Sequence, residues 1–312
     1  MKKAIIIIVA IGIVVAIGAV AAMNILGRRT ANSEAVRISL PEGTTFEALC
    51  DSLDASSTFR LMASALKLDE RVRPGSYVVE AHMRELDLVR KLRNGQQDPI
   101  RLTIGKFRLP QDLNAYLNQK LMHDDFDVPL DSFYLIRPNT YEFYWTVTPE
   151  AFMERMRKEY ERFWGARGVK EIKDSKDIIV LASIVEEETN NNQEKPLIAS
   201  VYLNRLERNM PLQADPTVKY AVGDFTLRRI LNKHLAAESP FNTYLHAGLP
   251  PAPICLPSDA SVDAVLNAPK TNYLYFCASD RMDGTHRFAA TLAEHNRNAA
   301  AFHRKLNTER IF

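Results

Sequence analysis

Ser175-Lys-Asp-Ile-Ile-Val-Leu-Ala-Ser-Ile-Val-Glu-Glu-Glu-Thr189 is the stretch on which the fold turns. Ile178, Leu181, Ile184, Val185 and Glu188 recur at the helical period and share one stripe, so the spacing predicts an amphipathic helix whose apolar face the rest of a domain must cover. Glu186 and Glu187 point elsewhere, and Glu188 continues the apolar stripe. Withdrawing a carboxylate from water raises its pKa, which would let Glu188 keep its proton near neutral pH, as a general acid must. The same position also suits a core-edge carboxylate satisfied by an arginine or a backbone amide, and the helix alone leaves both readings open.

On the C-terminal side, Asn190-Asn-Asn192 breaks the helix and Pro196 suits the first turn of the next. There Ile198, Val201, Tyr202 and Arg205 share a face, so Arg205 is partly buried and needs a carboxylate or a ligand oxygen. Met210-Pro-Leu-Gln-Ala-Asp-Pro-Thr-Val-Lys-Tyr220 reads as an extended loop presenting Gln213, Asp215 and Thr217. A second loop, 239–254, is stiffened by Pro240, Pro250, Pro251 and Pro253 and offers Asn242, Thr243 and Tyr244 as exposed groove-lining candidates. Residues 272–277 read as a buried strand, Asp283-Gly284 as a turn into a strand near Phe288, and a last helix begins near Leu292.

On the N-terminal side of Ser175, residues 151–164 form a helix and Pro138-Asn-Thr-Tyr-Glu-Phe-Tyr-Trp145 an aromatic cluster near a turn, suited to core packing or to stacking on sugars. Earlier still, residues 36–40 alternate as a half-buried strand, Thr45 can cap a helix bearing Phe46, Leu49, Cys50 and Leu53, and a second helix carries Phe59, Met62, Ala63 and Leu66. A strand at 76–79 and a helix ending at Asn94-Gly95 complete a small α+β module. Residues 100–104 repeat the character of 36–40 at a distance of 64 residues, again followed by a turn and a helix (113–121), which suggests a duplicated unit.

Residues 4–26 carry no charge. At 1.5 Å per residue these 23 residues make roughly 35 Å of helix, enough to cross a bilayer core of about 30 Å. Lys2 and Lys3 place the N-terminus in the cytoplasm and the bulk of the chain outside, although Arg28 and Arg29 oppose that bias. A cleaved signal peptide is the rival reading of the same segment. Without Lys2 and Lys3, the 40 basic residues fall to 38 and match the 38 acidic ones, a balance that argues against a nucleic-acid binder. Cys50, Cys255 and Cys277 are too few for a disulfide framework; a Cys255–Cys277 bridge and free buried thiols are both open. His286, His295 and His303 lack metal-ligand spacing, and there is no Gly-x-Ser-x-Gly elbow or Walker loop, so no metal or cofactor is expected.

Taken in order, Leu181-Ala-Ser-Ile-Val-Glu-Glu-Glu-Thr189, Ala199-Ser-Val-Tyr-Leu-Asn-Arg-Leu206, Leu212-Gln-Ala-Asp-Pro-Thr-Val218, Asn242-Thr-Tyr244, Gly248-Leu-Pro-Pro251 and Tyr273-Leu-Tyr-Phe276 closely resemble the endolytic murein transglycosylase family, known as MltG or YceG. The resemblance implies cleavage within peptidoglycan glycan strands between N-acetylmuramic acid and N-acetylglucosamine, leaving 1,6-anhydro-muramyl ends and terminating nascent strands. It implies Glu188, directly before Thr189, as the catalytic acid, and peptidoglycan and cell-wall synthases as partners. Polar residues of the matched motifs, Asn204, Gln213, Asp215, Asn242 and Tyr244, are the candidate substrate-binding side chains. Where the family often has Asn-Pro-Gly, this chain has Leu256-Pro-Ser258, and no site residue is named there.

The expected architecture is α+β: a cytoplasmic tip (1–3), a transmembrane helix (4–26), a linker (27–35), a LysM-like module (36–99) and a mixed α+β catalytic domain (100–312). The expected place is a single-pass inner-membrane protein with its catalytic domain in the periplasm. Two other functions fit the residues: a hydrolase that activates water with Asp215 or Glu194, and a non-catalytic peptidoglycan-binding scaffold in which Glu188 is structural.

Overall fold

The computed structural model describes residues 2–168 and 175–309. It is a mixed helix-and-sheet chain with one N-terminal apolar helix, and it divides into two compact units. The first comprises residues 1–102, 120–124 and 141–148; the second comprises 103–119, 125–140 and 149–312.

The first unit opens with α1 (Lys2–Leu26), whose window Val9–Leu26 has a mean hydropathy of 2.5 and no buried share, so it is long and apolar enough to cross a membrane. There follow β1 (Val36–Leu40), α2 (Phe46–Ser52), α3 (Ser57–Ala65), β2 (Gly75–Val79) and α4 (Glu85–Asn94). β1 and β2 pair antiparallel with Ile38 opposite Tyr77 and Leu40 opposite Gly75. The period-two alternation turns Ile38 and Leu40 onto a core of Leu49, Cys50, Phe59, Met62, Tyr77, Leu88 and Leu92. Thr45 Oγ1 accepts from Ala48 N at 3.2 Å and Ser56 Oγ from Phe59 N at 3.0 Å, capping α2 and α3. Gly95 ends α4 at φ +65°, the left-handed conformation that residues with a Cβ disfavour.

β3 (Ile100–Ile104) leads to α5 (Pro110–Lys120), a 3-10 turn (Leu130–Leu135) and β4 (Asn139–Phe143), which pairs with β3. The aromatic cluster read near a turn is therefore a strand. Its alternation buries Tyr141 and Phe143 and leaves Tyr144 exposed, so the cluster mainly fills a core.

The second unit is built around α7 (Ser175–Glu188), preceded by α6 (Pro149–Ala166) and followed by α8 (Lys195–Glu207), α9 (Asp215–Val222), α10 (Asn232–Leu235), α11 (Asp259–Leu266), β5 (Tyr275–Ala278), β6 (His286–Ala289) and α12 (Leu292–Glu309). α8, α9 and α11 all pack on α7. The amphipathic stripe was too narrow a reading: every residue from Ile179 to Val185 is buried, because neighbours cover the helix all round. Even the polar Ser183 is absorbed, donating to Val180 O at 2.7 Å and accepting from Ile254 N at 3.0 Å, which ties the loop 252–256 to the helix.

Two other expectations change, and one open question closes. The segment read as a loop from Met210 to Tyr220 becomes helical at Asp215, because Pro216 in the first turn pre-sets the helical φ and needs no donor there. β5, read as a buried strand, is half-buried, since it belongs to a two-stranded ribbon with β6. All three cysteines are free thiols.

Candidate active site

Three consecutive glutamates at the end of α7 have three different fates. Glu186 accepts from Ser258 Oγ at 2.6 Å, Ser261 Oγ at 2.5 Å and Lys195 Nζ at 3.0 Å, bracing the start of α11. Glu187 accepts from Arg108 Nε at 3.2 Å and Nη2 at 2.9 Å, and pairs with Lys106 Nζ at 3.0 Å. Burial would raise both carboxyl pKa values, but these donors and cations outweigh it and hold both below the usual range. No cation bonds Glu188 directly among the described residues, where its hydrogen bond is from Tyr202 OH to Oε1 at 2.5 Å, and the charge of Lys219 lowers its pKa only from a distance. Burial pushes its pKa up to about 7; the Tyr202 hydroxyl opposes that rise and the nearby Asp215 adds to it. Neighbouring carboxyls driven apart in this way are what acid–base chemistry at neutral pH requires.

Because Lys195 is 4% exposed, removing its partner strands a buried ammonium. Glu186→Ala is expected to destabilise the chain by about 3–5 kcal/mol, read as a lowered unfolding midpoint, whereas Glu186→Gln, which keeps the acceptor oxygen, loses less.

Glu188 lines two cavities of the second unit. One, of about 340 Å³, is also lined by Tyr202, Arg205, Gln213, Asp215, Tyr244 and His295. The other, of about 800 Å³, runs past Asn190, Asn191 and the β5–β6 turn at Asp283 and Gly284. Glu188 is thus packed among protein yet borders open space on two sides.

Of the sequence-derived candidates, Gln213, Asp215 and Tyr244 meet Glu188 in the smaller cavity. Gln213 sits at φ +50°, a left-handed conformation costing on the order of 1 kcal/mol or more, with its N–H donated to Thr243 O at 3.1 Å. Tyr244 OH donates to Asp215 Oδ1 at 2.7 Å; burial and that carboxylate raise the phenol's pKa. Asn204 and Asn242 are elsewhere. The Asn204 amide donates to Tyr273 O at 2.8 Å and Thr271 O at 3.1 Å, and the fully buried Asn242 donates to Leu235 O and Ala237 O, both at 2.9 Å. Both spend their donors on backbone carbonyls, which for the buried Asn242 offsets the desolvation of its amide. Thr243, expected to be exposed, is buried and bonds Ala214 N and Thr217.

Arg205 is buried as expected, but its bonds go to carbonyl oxygens rather than to a carboxylate: Nε to Leu274 O at 2.7 Å and Nη1 to Leu212 O at 2.8 Å. With Glu188 left unpaired by it, the general-acid reading keeps its raised pKa. Tyr202 was legible only as a buried face residue, although a buried phenol needs a hydrogen-bond partner and Glu188 is the one it finds. Tyr275 lies in the matched motif Tyr273-Leu-Tyr-Phe276 and His295 enters the sequence reading only as a rejected metal ligand; neither is named there as a site residue, since β5 and α12 lie far along the chain. Glu194, a candidate base, does not line the cavities; it holds His286 Nδ1 at 2.9 Å and His286 N at 2.8 Å. Among the described residues no group of three or more His, Cys, Asp or Glu is placed to hold a metal ion.

Residues 22–301 match the model of the YceG-like family. The chain is 45% identical over 120 residues to the endolytic murein transglycosylase of Bacillus subtilis, covering 38% of this chain and 32% of that protein. It is 35% identical over 128 residues to the endolytic murein transglycosylase of Streptococcus pneumoniae, covering 40% of this chain and 23% of that one. The matched part therefore spans a third or less of those relatives' length. A crystal structure of a yceG-like protein from Listeria monocytogenes superposes with a TM-score of 0.51 at 28% identity, covering 85% of this chain and 99% of that one.

Proposed function

Because the chain belongs to the YceG-like family, we propose that it cleaves peptidoglycan strands as an endolytic lytic transglycosylase, with Glu188 as the acid and then the base. The observation that carries this is the Glu188 carboxyl, held near pKa 7 by burial and bonded by Tyr202 OH, on a residue that lines two cavities. In the first step it gives its proton to the glycosidic oxygen as the muramyl C1–O bond breaks. In the second, as carboxylate, it takes the proton of the muramyl C6 hydroxyl while that oxygen bonds C1. The 1,6-anhydro ring closes, the carboxyl is restored and no water is consumed. One group serves both steps because its pKa lies near ambient pH and the nucleophile is already part of the substrate. A carboxyl between two cavities suits a strand that extends to both sides of the broken bond.

Asp215 shares the cavity, which favours hydrolysis as the second reading, with Asp215 as the base. Its engagement by Tyr244 OH, and its role in keeping Glu188 protonated, support the first. Digestion of purified peptidoglycan by the full chain, with mass spectrometry of the new ends, separates the readings. Anhydro-muramyl ends support the transglycosylase, reducing ends support the hydrolase, and glycan binding without cleavage supports a scaffold.

The positioning role of Tyr202 has its own test. Tyr202→Phe removes the hydrogen bond that favours the charged carboxylate and fixes the carboxyl's rotamer. It is expected to lower kcat by about tenfold with little change in KM and to move the falling limb of the pH profile upward. An unchanged limb would mean that Tyr202 only packs.

The apolar helix α1 supports single-pass anchoring in the inner membrane with the chain beyond it in the periplasm. The family resemblance supports a LysM-like character for the β1–α4 module, termination of nascent strands and company with cell-wall synthases.

A further inference from the structure

Beyond Leu26 the chain does not dangle. Residues 28–32 run antiparallel beside 82–85, with Thr30 N donating to Met83 O at 2.8 Å, His82 N to Asn32 O at 3.0 Å and Glu85 N to Arg28 O at 2.9 Å. Against this pairing lies a cavity of about 740 Å³ within the first unit, within the range of small-molecule sites. Arg28, Arg29, Asp51, Asp54 and Glu85 line it with both signs of charge, beside Thr30, with Phe59 and Leu88 as apolar wall.

Its polar groups are incomplete. Glu85 is 4% exposed; Oε1 accepts from Ser56 Oγ at 2.8 Å and lies 3.5 Å from Arg28 Nε. Glu85 Oε2 and Thr30 Oγ1 have no hydrogen-bond partner, and they are two of the four buried side-chain atoms of that kind among the described residues. Burying a carboxylate oxygen unpaired is unfavourable, a cost that a ligand bearing N–H donors would relieve. The exposed part of the lining is zwitterionic, with Arg28 and Arg29 on the segment after α1 and Asp51 and Asp54 around the end of α2.

Depth identifies the source of such a ligand. A bilayer core of about 30 Å within a total of about 40–45 Å leaves roughly 5–8 Å of headgroup layer per side. Arg28 stands two residues beyond α1, at most about 7 Å from its end, and Glu85 is bonded to the Arg28 backbone. With α1 in the membrane, the cavity lies at headgroup depth. We propose that it binds the headgroup of a zwitterionic aminophospholipid: the primary ammonium donates to Glu85 Oε2 and Thr30 Oγ1, and the phosphate meets Arg28 and Arg29. The site would seat the first unit on the membrane surface.

This inference rests on the membrane reading of α1, which flotation of the full chain with liposomes in carbonate tests separately. The binding test is native mass spectrometry of the full chain in detergent with phosphatidylethanolamine and phosphatidylcholine of identical acyl chains. A trimethylammonium cannot donate to Glu85, so phosphatidylethanolamine is expected to be retained about tenfold or more over phosphatidylcholine. Glu85→Gln should erase most of that preference and Thr30→Val part of it; the second variant keeps the test sound should the first fold poorly. Equal retention of the two lipids, or a preference unchanged in both variants, would overturn the site. Phosphoethanolamine alone binding as tightly as the lipid would show a soluble ligand instead, and displacement by N-acetylglucosamine oligomers a sugar; either overturns the lipid. Loss of flotation with the lipid preference intact would overturn only the span.

Discussion

Glu188→Gln is expected to lower the rate of anhydro-muramyl end formation by about 10³-fold or more, because both proton transfers pass through one carboxyl and an amide performs neither. The substitution changes little else. Gln has nearly the same shape, and its amide oxygen can still accept from Tyr202 OH, so the α7 terminus and both cavities are expected to persist. The comparison is of initial rates on purified peptidoglycan, with circular dichroism confirming that the variant is folded. A variant keeping more than about a tenth of the wild-type rate would rule out Glu188 as the acid, since general acid catalysis alone is worth 10²–10⁴. Asp215→Asn provides the contrast: loss of reducing ends there, with Glu188→Gln retaining cleavage, would transfer the chemistry to the hydrolase reading.

The second large effect is in pH. A protonated Glu188 is required to start the reaction, and its pKa of about 7 places kcat/KM on a plateau below that pH and on a falling limb above it, about tenfold per pH unit. Folding stability must show the same group with a definite sign. Glu188 binds its proton more tightly folded, at about 7, than unfolded, near the ordinary value of 4.5. The folded state therefore holds more protons between these values, and the contribution is fully present below about pH 4.5 and is lost as pH rises through about 7. The shift amounts to about 3 kcal/mol. Glu186 and Glu187, with lowered pKa values, act oppositely and at lower pH, losing stability as pH falls through their folded pKa. Unfolding wild type and Glu188→Gln in parallel at pH 5 and pH 8 cancels them. The variant is expected to gain on the wild type as pH rises and to be the more stable at pH 8. Parallel pH dependences would show that Glu188 titrates normally.

These two results are linked by one physical fact: the site keeps a carboxyl where water cannot solvate its charge well, and that is costly to the fold. Proteins commonly accept such a cost at a working site. Glu186 and Glu187 show that the same short segment can stabilise carboxylates when cations reach them, since Lys195, Lys106 and Arg108 do so within two residues of Glu188.

Arg28 and Arg29, which oppose the positive-inside pattern of the sequence, also have a local explanation. Arg28 faces Glu85, and Arg29 Nη1 donates to His82 O at 3.0 Å, so both are committed to the first unit as well as to the flank of α1. A charge count treats them as topology signals, whereas the fold uses them to fasten the helix end.

The sequence by itself determined what depends on neighbours along the chain. The charge-free run of α1, the alternation of β1, the Thr45 cap, the Gly95 stop, the Pro196 start and the end of α7 at Glu188 are local matters of period, propensity and capping, and each stands where the residues placed it. The motif order also carried the family. Only the tertiary structure decided which polar side chains face the cavity. Asn204, Asn242, Gln213 and Tyr244 are equally plausible ligand-binding groups in a one-dimensional reading. Asn204, half-buried, and Asn242, fully buried, came to lie beside backbone carbonyls that took their donors, while Gln213 and Tyr244 were left lining open space. Likewise, the run Glu186-Glu187-Glu188 contains no reason for three different acidities. Arg108 reaches Glu187 from 79 positions away and Ser258 reaches Glu186 from 72, while Tyr202 offers Glu188 a hydroxyl and no charge. A pKa is set by everything within a few ångströms, and what lies that close is settled by packing, which no local stretch of sequence contains.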